Sequence, residues 1–268
     1  KPYSYVFHSH ELYDMGHMYE AAIAYYKATG KRKWLDVAEK SARHINKVFF
    51  EGDPAYNGGN PVNQAPGHQE IELALIKMFE VTGDSLYLEM AAKFIDIRGV
   101  TYVPYGVKIT TPEYAQQHQP VREQRKAVGH AVRATYLYSG MADVAALTGD
   151  KSYIEAIDRI WDNIVSKKLY ITGGVGATSS GEAFGKNYYL PNLSAYCETC
   201  AAIAMVYWNQ RMFLLHGESK YIDVLERSLY NGVLSGISLD GGGFFYPNPL
   251  ESIGQHQRQA WFGCACCP

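Results

Sequence analysis

Four glycine turns divide this chain into helical hairpins, and they restrict the fold more than any other feature. The turns are Thr29-Gly30-Lys31, Thr82-Gly83-Asp84, Thr148-Gly149-Asp150 and His216-Gly217-Glu218. Each glycine suits the left-handed residue that ends a helix, and a nearby Ser or Asp can cap the helix that follows. An aromatic residue comes soon after each turn: Trp34, Tyr87, Tyr153 and Tyr221. The second helix of each hairpin carries an apolar stripe with a period of about 3.6 residues. The stripes are Leu35, Ala38, Ala42, Ile45 and Phe49; Leu88, Ala91, Ala92 and Ile95; Ile154, Ile157, Trp161 and Ile164; and Tyr221, Val224, Leu225, Leu229 and Val233. The first helices are apolar on more than one side, most plainly from Ala201 to Tyr207. Such a helix is buried between two layers. Inner helices backed by amphipathic outer helices predict an all-α toroid, with irregular loops on its functional face. Four hairpins make an incomplete ring, so a closed ring of six needs about two more, expected on the N-terminal side. An open solenoid satisfies the same repeat. The chain begins at Lys1 without a methionine and stops at Pro268, so both ends read as cut.

Composition sets the class. At 268 residues and 47% hydrophobic content the chain can bury a large core. Its net charge of -2 includes no block of one sign, which leaves nucleic-acid binding without the clustered cations it needs. No apolar run approaches the roughly 18 residues of a membrane span. All five cysteines fall in two clusters, Cys197-Glu-Thr-Cys200 and Cys264-Ala-Cys266-Cys267. Clustered thiols around a carboxylate describe a metal site closed by folding, with zinc as the expected ion. Free thiols of this kind survive best in a reducing compartment, which favours the cytoplasm.

Gly-His recurs at Gly16-His17, Gly67-His68 and Gly129-His130, each read as the start of an inner helix. Superposing the last two turns places Glu198 opposite His130. The four hairpins are therefore expected to aim polar groups into one shared cavity. Between Ile171 and Gly185 the helical pattern gives way to a glycine-rich stretch with a single acid, Glu182. It lacks the phosphate-loop pattern and reads as a long loop over the cavity mouth, with a solvated loop carboxylate as the plainer meaning of Glu182. The segment Gly241–Pro249 reads as a short strand that supplies Tyr246 as a wall. Spacing alone pairs Cys197 with Cys200. Glu198 and Cys200, two apart, share a site only if a helix begins there.

At these residues the chain resembles the bacterial β-L-arabinofuranosidases of glycoside hydrolase family 127. The resemblance is carried by Glu198-Thr-Cys200-Ala, by Phe262-Gly-Cys264-Ala-Cys266-Cys267-Pro268, and by Glu182 ahead of them. The runs His10-Glu-Leu-Tyr-Asp-Met-Gly-His17 and Gly67-His68-Gln-Glu70 agree. It implies an (α/α)6 barrel, here residues 1–268, with the first helices and the C-terminal β-sandwich domains absent. It implies Zn2+ held by Glu198, Cys200, Cys266 and Cys267, with Cys266 as nucleophile and Glu182 as general acid/base. His17, His68, His130 and Tyr246 are then sugar-hydroxyl contacts. The implied reaction is retaining release of a terminal arabinofuranosyl group from a small-molecule or oligosaccharide substrate, in a protein whose full length could form oligomers. Two other readings stand beside it. One is a non-catalytic toroid with a structural zinc that binds glycan or protein. The other is a zinc-activated thiol transferase, whose anion pocket would draw on Arg122, Arg125 and Lys126.

Overall fold

The computed structural model describes residues 2–102 and 111–262. Cys264, Cys266 and Cys267 lie outside the described residues. The helices pair as the turns require: α1 (Glu11–Thr29) with α2 (Lys33–Asn46), α3 (Ile71–Thr82) with α4 (Ser85–Asp96), α5 (Ala131–Thr148) with α6 (Lys151–Lys167), and α7 (Thr199–His216) with α8 (Ser219–Ser228). Gly30, Gly83, Gly149 and Gly217 are all left-handed. Each donates its N–H to the carbonyl of Tyr26, Phe79, Ala145 or Phe213 respectively, closing the preceding helix. Asp84 and Asp150 cap α4 and α6 by accepting the N–H of Leu86 and Ser152.

The inner helices α1, α3, α5 and α7 stand side by side in that order, each backed by its own outer helix. This is the expected all-α frame of an (α/α)6 toroid. Inner α5 is buried from Ala131 to Ala142, because α3, α4, α6 and α7 all press on it. Ring packing of Tyr138 on Trp208, 4.9 Å between centroids, joins α5 to α7. The outer stripes differ in detail. Leu35, Ala38, Ala42 and Ile45 are fully buried as expected. On α4 the buried face is instead Tyr87, Met90, Ala91, Phe94 and Ile95, with Leu88 and Ala92 at its edge. Beyond Ser228 the fourth outer helix loosens into a π turn, Leu229–Val233.

Three expectations change at the cavity end. First, α1 begins at Glu11, so His17 sits in its second turn, and His68 precedes α3. The residues that cap the inner helices are His10, Glu70, His130 and Glu198. His or Glu at every cap is the true repeat, and the Gly-His pairs mark close backbone approach instead. A Cβ on Gly67 would lie 1.7 Å from the Phe7 carbonyl oxygen, and one on left-handed Gly129 would lie 1.8 Å from that of Glu113. Second, the described residues of Gly241–Pro249 make isolated bridges, Phe244 with Ile237 and Gln259 and Pro247 with Glu198, and no strand. Third, the glycine-rich stretch is threaded into the structure, with Val175 and Ala177 buried. It bonds across to Gly129 through Phe184 and to Cys197 through Gly176.

Arg122 bridges Asp96 at 2.5 Å and Asp150 at 3.1 Å and lies over the Tyr153 ring. It is a structural joint between outer helices, which takes Arg122 out of the anion pocket that the thiol-transferase reading drew on. Arg98, fully buried, donates to Glu72 and to the carbonyls of Pro66 and Ala115. That fixes the segment carrying His68. Among the described residues no helix is long and apolar enough to cross a membrane.

Candidate active site

The starts of the inner helices enclose a cavity of about 790 Å³. His17, His68, His130, Glu182, Glu198, Cys200 and Tyr246 all line it, so these seven candidates face one space. The start of α7 explains how Glu198 and Cys200 meet. Glu198 is the N-cap, with extended φ and ψ of -57° and 136°, and Cys200 lies in the first turn. The cap points off the helix axis, so two residues that would diverge on a helix share one wall. The Thr199 N–H donates to the Tyr246 carbonyl at 3.0 Å, and its hydroxyl donates to the Phe245 carbonyl at 2.7 Å. Asn248 donates in turn to the Cys197 carbonyl at 3.0 Å. These bonds hold Tyr246 against the cavity without a sheet.

Glu182 is no solvated loop acid. Its backbone is left-handed, φ 50°, and its carboxylate takes the Tyr196 hydroxyl at 3.0 Å and lies 2.6 Å from His130 Nε2. Ligand atoms of His130, Glu182 and Glu198 lie within 4.8 Å of one another. His68 is the hub of a ring cluster with Tyr13, His10, Tyr136 and His130, the Tyr13 centroid being 4.3 Å away. Its Nδ1 is 2.8 Å from the Gln69 carbonyl. That nitrogen must donate, so Nε2 presents a lone pair. Burial, then the charge of Arg133, hold His68 well below the usual imidazole range, which keeps it neutral.

Arg133, absent from the sequence-based site, is buried in the same wall, over the Tyr114 ring at 4.6 Å. Burial pulls its guanidinium down, while Tyr114, Glu182 and Glu198 support the charge. It sets a positive charge near the buried Glu198 and the half-buried Glu182. Its signal was available, since it follows His130 by three residues on one helix face. Tyr196 carried no such signal, because its reach to Glu182 depends on how the long α6–α7 connection folds back on itself.

Cys197 departs from the pairing that spacing suggests. At φ 43° it turns into a small apolar cluster with Tyr170, Ala177 and Ala195, and burial pushes its thiol up to about 12. For a metal, the donors Glu198 and Cys200 fit: a carboxylate and a thiol, both buried at a helix N-terminus, whose dipole favours anionic ligands. A second group, His17, Glu20 and Glu70, is close enough for an ion, but Lys77 Nζ sits 2.5 Å from Glu20 and already supplies the cation.

The start of α7 and the loop carrying Glu182 thus bring carboxylates and a thiol to one cavity of an (α/α) toroid. Solved structures of a GH76 α-mannanase from Bacteroides thetaiotaomicron and a cellobiose 2-epimerase from Bacillus thermoamylovorans share the fold, with TM-scores of 0.59 and 0.60 at 12% and 15% identity. The family model for the β-L-arabinofuranosidase GH127 catalytic domain matches residues 2–268, and the chain belongs to that family. It is 41% identical over 99% of its length to a non-reducing end β-L-arabinofuranosidase of Bifidobacterium longum subsp. longum, spanning 43% of that protein. Two solved structures are similar over 100% of the chain. A GH127 β-arabinofuranosidase is 59% identical with a TM-score of 0.91, and the chain covers 40% of it. A GH127 β-L-arabinofuranosidase from Geobacillus stearothermophilus T6 is 46% identical with a TM-score of 0.92, and the chain covers 45% of it.

Proposed function

We propose that this chain carries the active site of a retaining glycoside hydrolase that releases terminal β-L-arabinofuranosyl groups. The observation that carries the reading is the shared cavity, which brings Glu182, Glu198 and Cys200 together from a loop and a helix start. Phe262 packs edge-to-face against Tyr246, 5.4 Å between centroids. Four residues further on comes Cys266, and an extended chain of that length reaches at most about 14 Å.

In the proposed reaction the Cys266 sulfur attacks the anomeric carbon as the glycosidic C–O bond breaks. Glu182 gives its proton to the departing oxygen, leaving a glycosyl thioether and a free alcohol. Glu182, now a carboxylate, takes a proton from water as that water attacks the same carbon and the thiolate departs. Two inversions retain configuration. Zinc held by Glu198, Cys200, Cys266 and Cys267 would keep these sulfurs as thiolates at neutral pH. His17, His68 and Tyr246 line the space where the sugar hydroxyls lie, and His68 Nε2 accepts from one of them.

A second assignment has one observation in its favour. Glu182 and Glu198 bring carboxylate oxygens within 4.8 Å, close to the roughly 5 Å separation of carboxylate pairs in retaining enzymes. Glu198 would then be the nucleophile. Metal analysis and kinetics on Cys266→Ser and Glu198→Gln separate the two. On the thiol mechanism Cys266→Ser loses turnover by at least about a thousandfold while its melting profile is kept. A Cys266→Ser protein with parental turnover removes Cys266 from the chemistry. A parent inactive on aryl and alkyl arabinofuranosides leaves the non-catalytic toroid.

A further inference from the structure

His130 uses both ring nitrogens within the protein. As the N-cap of α5 its Nδ1 accepts the Val132 N–H at 3.2 Å. A nitrogen that accepts carries no proton, so the neutral ring is protonated on Nε2. Nε2 lies 2.6 Å from Glu182 Oε2 and therefore donates to it. Tyr196 donates to the other oxygen, Oε1, at 3.0 Å. His68 holds the opposite tautomer, with Nδ1 on the Gln69 carbonyl. Two histidines ahead of neighbouring inner helices thus present unlike edges: His68 an acceptor to the cavity, His130 a donor to a carboxylate.

We propose that His130 and Tyr196 are positioning residues that clamp the Glu182 carboxylate, one donor on each oxygen, and that they set its aim at the leaving-group oxygen. The proposal rests on the acid/base role given to Glu182 above. His130 lies outside the α6–α7 connection that carries Glu182, and Tyr196 lies at the far end of that same connection. One stands at the start of α5, the other two residues ahead of the Glu198 cap of α7, so the acid is held from both sides although its own backbone is a left-handed turn. The helix cap is what fixes the tautomer. Protonation of Nδ1 would break the Val132 bond, so the donor to Glu182 is built into the folding of α5.

The test compares kcat/KM on two β-L-arabinofuranosides, one with an alkyl and one with a dinitrophenyl aglycone. This parameter reports only the steps through the first C–O cleavage, and the dinitrophenolate leaves without a proton. Tyr196→Phe deletes one hydroxyl and keeps the ring. His130→Asn keeps an acceptor for the Val132 N–H but is too short for Glu182, whereas His130→Gln keeps a donor at the Nε2 position. Expected is a loss of about tenfold or more on the alkyl substrate for Tyr196→Phe and His130→Asn, with less than about threefold on the dinitrophenyl substrate. His130→Gln restores part of the alkyl rate. Equal losses on both aglycones, or no loss on either, overturn the clamp while the functional reading survives. A parent inactive on both substrates overturns that reading and the clamp with it.

Discussion

Cys197 and Cys200 flank Glu198, yet only Cys200 faces the cavity. The sequence spacing favours them as a pair, and the helix start separates them. Residue types and rough positions were legible. The direction of each side chain was not, because it hangs on whether a residue caps a helix, as Glu198 does, or sits in a left-handed bend, as Cys197 and Glu182 do. Lys168 gives a test at this scale. Its ammonium is buried and donates to the Ala127 and Gly185 carbonyls at 2.7 and 2.9 Å. Burial, aided by Lys126, pulls it down to about 8 from 10.5. The folded state therefore holds the proton less tightly than the unfolded state. The penalty is full below about 8 and is relieved as pH rises through 10.5. Urea unfolding of parent and Lys168→Met at pH 7, 8 and 9 should show the parent gaining stability on the variant as pH rises. A pH-independent difference contradicts this.

At the scale of elements, the hairpins were readable because glycine caps and apolar periodicity are local signals. The turn at Gly149 and the stripe of α6 needed no tertiary information. The strand expected near Tyr246 failed for a tertiary reason. A strand needs a neighbour running alongside, and Ile237 and Gln259 each offer Phe244 a single bridge. What anchors that segment is the start of α7. Asp150 tests the local side. It accepts the Ser152 N–H at 2.8 Å at the α6 cap and pairs with Arg122 at 3.1 Å. Asp150→Ala should cost about 1 kcal/mol of unfolding free energy, and Asp150→Asn only a few tenths of that. Equal losses in the two variants would assign the effect to the ion pair and not to the cap.

On the scale of the whole molecule, the core runs unbroken across all four hairpins and has no need of a metal staple. Removal of bound metal with a strong chelator should abolish hydrolysis and leave the helical circular dichroism intact. Loss of both signals together would favour a structural zinc. The frame also explains why the site could be anticipated only in outline: four helix starts were expected to face one space, and His10, His17, His68, His130 and Glu198 do line it, joined by Arg133 from the first turn of α5.

Those four helix starts carry an electrical consequence. Each inner helix turns the positive end of its backbone dipoles towards the cavity, worth roughly 0.3–1 kcal/mol to an anion beside it. The field favours an anion at Glu198, while at Glu70 burial outweighs it and holds the carboxyl well above the usual range; a lysine installed at either start would meet an opposing field. Anyone repurposing this scaffold would do best to place a negatively charged group at the α7 start, beside Glu198, and should look for inhibitors that bring an acidic group to that wall of the pocket.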